Sequence, residues 1–285
     1  MMWLTDPVGW WIDPFRDAFM MRALLASLLA VLATSMVGIW VVLRGMTFLG
    51  DALAHAVLPG IAVAYVAGFS PTLGALIAAL VMVGLINTVR SHSPLPEDTT
   101  IGVLFVGFLA FAVVLMSTES GAYVGDLNRF LFGSVLGVDN RDLIREAVVA
   151  LVAVAAVVLG YRAMLVSTFD ATQAQLLGLR PSLTHGVLLV VVAMSVVASF
   201  EAVGSMLVFG FLTAPPAAAA LLVRRVPAMM VVAVLIGSIS VILGLLISFH
   251  AHTAPSATMA LCAVVWFVIA IAVRAGASSI RAVRT

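Results

Sequence analysis

Apolar stretches close to twenty residues long and nearly free of charge recur along this chain from one end to the other. A helix rises about 1.5 Å per residue, so each stretch can cross the roughly 30 Å hydrocarbon core of a bilayer. Lipid offers no hydrogen bonds, so apolar runs of this length must satisfy their backbone internally, as helices. On that criterion spans are expected at 18–43, 52–69, 72–89, 100–117, 147–161, 183–200, 203–222, 228–249 and 257–273. The fifth run is short, and its helix should begin a few residues earlier. The predicted fold class is all-α: a polytopic membrane protein with eight to nine transmembrane helices in a single domain over 1–285. Composition agrees. Charged residues make up 9% of the chain, against about 25% in a soluble domain.

Residues 130–138, "FLFGSVLGV", are too short to span and fit a re-entrant or surface-lying piece covered by protein. Residues 1–17 lack the charged opening and short apolar core of a cleavable signal peptide. Trp3, Trp10 and Trp11 make this stretch an interfacial segment at headgroup level. Orientation follows from the arginines. The C-terminal Arg274, Arg281 and Arg284 have no acidic neighbour, which predicts a cytoplasmic tail, and counting back puts Arg224, Arg225, Arg180, Arg162 and Arg90 inside. Residues 1–17 and 118–146 each carry a net charge of −2 and fall outside. All 14 basic residues are arginine. A Walker A phosphate loop needs lysine, so ATP chemistry must come from another chain. A net charge of +1 suggests no nucleic-acid partner. The single cysteine, Cys262, has no partner for an internal disulfide and reads as a small buried residue.

Charged groups at the bilayer centre cost about 2.5–3.5 kcal/mol on insertion scales, so the few that occur need a reason. Asp51 and His55 sit early in the second helix unit, which runs from Arg44 to Pro71, four residues apart and so on one helix face. Three readings compete. The pair can lock helix packing, relay protons in a cation-coupled carrier, or contact a divalent metal through a carboxylate oxygen and an imidazole nitrogen. Two ligands are too few for a tight structural site, yet a transported ion must be released.

The surrounding sequence is more specific. "VVLRGMTFLGDALAHAVLPGIAVAY" (41–65) closely resembles the membrane permeases of metal-uptake ABC transporters, which import manganese, zinc and iron(II). "LPEDTTIGVLFVGFLAFAVVL" (95–115), "MLVSTFDATQAQLLGL" (164–179), "EAVGSMLVFGFLTAPPAAAALL" (201–222) and, more loosely, "HTAPSATMAL" (252–261) resemble further segments of that family in the same order. The resemblance implies the permease fold shared with vitamin B12 and siderophore importers. It implies a permease homodimer over cytoplasmic ATP-binding subunits, loaded by an extracytoplasmic metal-binding protein, in the cell membrane. It assigns Asp51 and His55 to the translocation path, in contact with the metal. Phe169, Asp170, Gln173, Leu176, Leu177 and Gly178 become the ATPase-coupling segment. This fits their chemistry, since Asp170 is a good N-cap, Leu176 and Leu177 form an apolar edge, and Gly178 stops a helix. His250 and His252 become an outer metal path, although the family often has a carboxylate near His252.

No permanently bound cofactor is expected, only a transported divalent metal. "HAVLPG" (55–60) looks like the manganese and iron branch, which favours manganese, with zinc or iron as alternatives. A stand-alone ion-coupled carrier is the competing class. An intramembrane protease is disfavoured because no H-E-x-x-H occurs. Among the remaining polar residues, Glu97 and Asp98 complement a helix start, and His185 belongs at the inner boundary. His92 and Glu201 read as solvated. Gly204, Ser205, Gly210, Ala214 and the alanines at 217–220 permit close helix approach, and Pro215 and Pro216 should kink their helix.

Overall fold

The computed structural model describes residues 7–117 and 135–282. Expectations that rest on Trp3, Glu119, Asp126, residues 130–134, Arg284 or the side chains of Glu201 and Arg281 lie outside what it describes.

Among the described residues the chain is helical. α1 (Pro7–Ile12) leads through a 3-10 turn, Asp13–Arg16, into α2 (Ala18–Leu43). Next come α3 (Leu49–Ala67), α4 (Pro71–His92), α5 (Glu97–Ser117), a 3-10 turn at Val135–Gly137, and α6 (Asn140–Leu159). The remainder is α7 (Tyr161–Phe169), α8 (Ala171–Leu176), α9 (Pro181–Val203), α10 (Ser205–Leu222), α11 (Val226–Ala251) and α12 (Pro255–Ala282). Eight of these helices are each long and apolar enough to cross a membrane, and α6 with α7, bent by 64°, makes up to nine. Each expected span is found, and several start earlier than their apolar run. Pro71, Pro181 and Pro255 open their helices, because a helix's first N–H groups need no intrahelical acceptor. α6 begins at Asn140 because Asp139 and Asp142 form a capping box, in which Asp139 Oδ1 accepts from the Asp142 N–H at 2.8 Å and Asp142 Oδ2 accepts from the Asp139 N–H at 3.2 Å.

α2 is the hub. It packs against α6, α9, α10 and α11, and buries a face of small residues that includes Ala23, Ala26, Ser27, Ala30 and Gly38. Small side chains let backbones approach, which drives helix association where lipid removes the hydrophobic effect. α3, α4 and α5 form one group beside α9; α10, α11 and α12 form another around α2. α5 and α12 lie at the flanks, with 17% and 22% of their spanning windows buried inside the chain. Gly60 of α3 and Gly74 of α4 meet backbone to backbone, and a Cβ on either would collide with the other's carbonyl oxygen.

α10 runs as a helix through Pro215 and Pro216. A proline has no N–H for the carbonyl four residues earlier, so Phe211 O and Leu212 O lose their ladder donors. α2 covers both. Ser35 Oγ donates to Phe211 O at 3.4 Å, and Gly38, three residues on, leaves room for Leu212 O against the α2 backbone. This is how a membrane helix tolerates proline, by a neighbour's hydroxyl and close packing. Gly210 makes the third close approach, with a built Cβ 3.2 Å from Ala260 Cβ of α12.

Candidate functional site

α2 ends in a turn that aims α3. The N–H of Gly45 bonds Val42 O at 3.1 Å and that of Met46 bonds Val41 O at 3.0 Å, a Schellman motif. Gly45 sits at φ 72°, a left-handed conformation that favours glycine. α3 then starts at Leu49, which puts Asp51 in its first turn. The helix N-terminus favours a carboxylate there by itself; it gives no reason for His55.

His55 Nδ1 lies 3.0 Å from the backbone oxygen of Asp51 and 3.6 Å from its Oδ1. A carbonyl only accepts, so Nδ1 carries the proton and Nε2 keeps its lone pair for a ligand. The His55 ring sits edge-to-face on Phe105 of α5, centroids 5.5 Å apart, and Phe105 in turn meets Phe48 at 5.3 Å. Neither polar side chain is sealed: His55 is 27% exposed and Asp51 31%. One turn further on, Pro59 interrupts the helix ladder at the His55 carbonyl. The pair therefore offers one carboxylate and one imidazole nitrogen on an open face. Among the described residues no group of three or more His, Cys, Asp or Glu gathers around a point.

His250 and His252 lie elsewhere, at the far end of α11. His250 stacks on Trp10 of α1, ring centroids 4.6 Å apart, and its Nε2 donates to Trp10 O at 3.2 Å. His252 is exposed and closes α11 at φ 53°.

The 164–179 segment divides at Asp170. Residues up to Phe169 finish α7, and Asp170 Oδ1 accepts from the Gln173 N–H at 2.8 Å to start α8. Gly178, at φ 75°, ends it in a second Schellman turn, with Leu179 N–H on Ala174 O at 2.9 Å. Phe169 and Leu176 are 67% and 84% exposed, and Leu177 is also exposed. A cleft of about 770 Å³ opens beside them, lined by Asn87, Gln175, Leu179, Arg180 and Gly186 among others.

Sequence reasoning missed a polar cluster at this same end. Arg44 Nε donates to Thr168 Oγ1 at 3.0 Å and Arg44 Nη1 to His185 Nδ1 at 3.0 Å. Glu97 Oε1 pairs with Arg90 Nε at 2.5 Å and lies 3.9 Å from His185 Nε2. Burial pulls the Arg44 pKa below its ordinary value; Glu97 opposes this and Arg90 adds to it. Acids at a helix start were visible in the sequence, but their partners were not. Arg44, Arg90 and Arg180 gather at this end of the bundle, the end expected from the arginine distribution to face the cytoplasm.

The chain matches the ABC 3 transport family over residues 16–274. A manganese transport system membrane protein, MntC of Halalkalibacterium halodurans, is 36% identical over 253 residues, covering 89% of this chain and 86% of the relative. The chelated iron transport system membrane protein YfeD of Yersinia pestis is 32% identical over 259 residues, covering 91% and 86%. Among solved structures, PsaBC from Streptococcus pneumoniae, determined in complex with Fab, superposes with a TM-score of 0.80 at 27% identity, covering 92% of this chain and 95% of that one. The fold is accordingly that of the ABC metal-transporter permeases, a multi-pass membrane architecture. From the extent of the family match and the identity of these relatives, the chain belongs to the ABC 3 transport family as a membrane permease subunit of a metal transporter.

Proposed function

We propose that the chain imports a divalent transition metal, manganese(II) foremost, powered by ATP hydrolysed on a separate cytoplasmic subunit. The observation that carries this is the Asp51–His55 pair. A carboxylate and an oriented imidazole nitrogen stand open on one helix face, and membrane-embedded chains keep such groups for a function. Carboxylate with imidazole suits Mn(II), Fe(II) and Zn(II), and the affinity order alone would favour zinc, so selection falls to metal supply and to the extracytoplasmic binding protein. The manganese-named relative favours manganese. Iron is the second reading, favoured by the relative named for chelated iron.

Two donors from one chain leave coordination incomplete. A second copy facing α3 and α5 would add its own pair and shield the exposed apolar side chains Val103, Val106 and Phe111. His250 and His252 would meet incoming metal at the outer end, in keeping with their place at the end of α11. At the cytoplasmic end, the exposed Phe169, Leu176 and Leu177 around the Asp170-capped α8 suit insertion into a cleft of the ATPase, with Gln173 and Gly178 shaping that turn of chain.

The test is uptake of labelled manganese(II) into proteoliposomes holding the complete complex, with and without ATP, in competition with zinc(II) and iron(II). ATP-dependent uptake that manganese competes for best is expected. Uptake independent of nucleotide would replace this reading with a stand-alone carrier, and preferential uptake of zinc or iron would replace the cargo.

A further inference from the structure

The proposed import function requires motion at α8 to reach Asp51 and His55, which lie on a different helix. Arg44 bridges the two regions. It caps α2, five residues before α3 begins, and the Gly45 turn sets the direction in which α3 leaves. Its guanidinium holds both flanks of α8. Thr168, at the end of α7, precedes α8, and His185, in the second turn of α9, comes after it.

The donor directions in this cluster are determined. Thr168 gives its one hydroxyl proton to Met164 O at 2.6 Å, so it can only accept from Arg44. His185 accepts at Nδ1, because arginine only donates, so its proton is on Nε2. That N–H faces Glu97 Oε1 at 3.9 Å. His185 is 1% exposed, so water does not compete for these contacts. Glu97 is the first residue of α5, and the same helix carries Phe105 against the His55 ring. Eight residues of helix separate Glu97 from Phe105, about 12 Å. One line of hydrogen bonds therefore leads from the flanks of α8 through Arg44 to the start of α3, while Glu97 of α5 stands near His185 without a hydrogen bond to it. The planar fork of arginine keeps two bonds in fixed relative direction, which a flexible ammonium does not.

We propose that Arg44 is a positioning residue that carries movement of the ATPase-docking α8, through Thr168 and His185, to the start of the helix bearing Asp51 and His55. This rests on the proposed import function. A simple staple would make the same contacts, but losing it would lower hydrolysis and transport together through lost assembly. A transmitting contact, when cut, separates the two.

The experiment measures ATP hydrolysis and uptake of labelled manganese(II) in the same proteoliposomes, using the complete complex. With Arg44→Met, hydrolysis stays within about twofold of wild type while manganese moved per ATP falls by about tenfold, inside the usual range of coupling between sites. Arg44→Lys stays low. Thr168→Val keeps the shape but not the acceptor oxygen and lowers the ratio, whereas Thr168→Ser, which keeps that oxygen, restores it. An unchanged ratio in both Arg44→Met and Thr168→Val overturns the proposal. So does a parallel loss of hydrolysis and uptake in Thr168→Val, which marks a staple. If Arg44→Met fails to assemble, the Thr168 pair decides alone. A wild-type complex that hydrolyses ATP without moving any of the three metals would overturn the functional reading, and the coupling proposal with it.

Discussion

The Nδ1–H of His55 donates to the backbone carbonyl of Asp51, 3.0 Å away, and so leaves the lone pair on Nε2. The acid meets the ring twice: its backbone oxygen sets the tautomer of the histidine, and its Oδ1 lies 3.6 Å from Nδ1. The ring is braced from the other side by Phe105. Bracing of this kind fixes the direction of the ring while leaving it 27% exposed.

Substitution of the pair should stop uptake without disturbing assembly. Asp51→Asn keeps the shape and removes the charge, and His55→Ala removes the imidazole. Each should lower labelled manganese uptake by about tenfold or more, as expected where a ligand of the transported ion is lost. The amount of permease in the membrane should stay unchanged by immunoblot. Normal uptake by both variants would return the pair to helix packing.

At the other end of the bundle, Asp170→Ala removes the cap of α8 and weakens that short helix by about 1 kcal/mol. Phe169→Ala removes an exposed apolar side chain that touches little within the chain. Phe169→Ala should keep the permease's thermal stability, Asp170→Ala should lower it only slightly, and both should lose co-purification of the ATPase subunit. Full recovery of that subunit with both would count against α8 as the docking segment.

The α2–α10 seam gives a prediction about stability alone. Ser35→Ala leaves Phe211 O unpaired in the bundle, and at 3.4 Å the bond is long, so the loss should fall near the low end of about 1–3 kcal/mol. Gly38→Ala should cost more, because the new methyl meets the Leu212 carbonyl, a backbone atom that cannot step aside. Thermal unfolding in detergent should rank wild type above Ser35→Ala above Gly38→Ala. The reverse order would show that the hydroxyl, not the close approach, holds the seam.

The start of α6 should respond to acid. Asp139 has a lowered pKa, first through the hydrogen bond from the Asp142 N–H, with Arg141 adding to it. A carboxyl whose pKa is depressed on folding stabilises above its unfolded value, and that contribution is lost as pH falls through the folded one. Hydrogen exchange at the Arg141 and Asp142 amides should therefore quicken as pH falls below the ordinary carboxylate range, after correction for intrinsic rates. Asp139→Asn, which caps without titrating, should flatten the change. An equal response in both proteins would remove the cap as its source.

Much of the architecture could be read from the residue pattern, because a bilayer imposes a fixed apolar length on anything that crosses it. The first span coincides with Ala18–Leu43. The fifth was hardest to see, since Arg141, Asp142, Arg145 and Glu146 hide the first turns of α6 from a hydropathy reading. Only packing explains how Glu146 is carried there. Its side chain is wholly buried and its Oε1 accepts from Ser199 Oγ of α9 at 2.5 Å. Asp51 and His55 stood out because polar groups are costly in lipid. Arg44 did not, since arginines at helix ends are common and its partners are 124 and 141 residues away.

The sequence by itself determined which stretches are long and apolar enough to cross a membrane, which end of each carries the arginines, and where an acid and an imidazole share a face. Each of these follows from local chemistry, the transfer of side chains between water and lipid at a known helical pitch. The tertiary structure decided which helix stands at the centre, which neighbour covers the carbonyls that Pro215 and Pro216 leave bare, and what Arg44 holds. Those choices depend on contacts between residues distant in the chain, where small residues and hydroxyls select partners by fit and direction, and no local pattern records them.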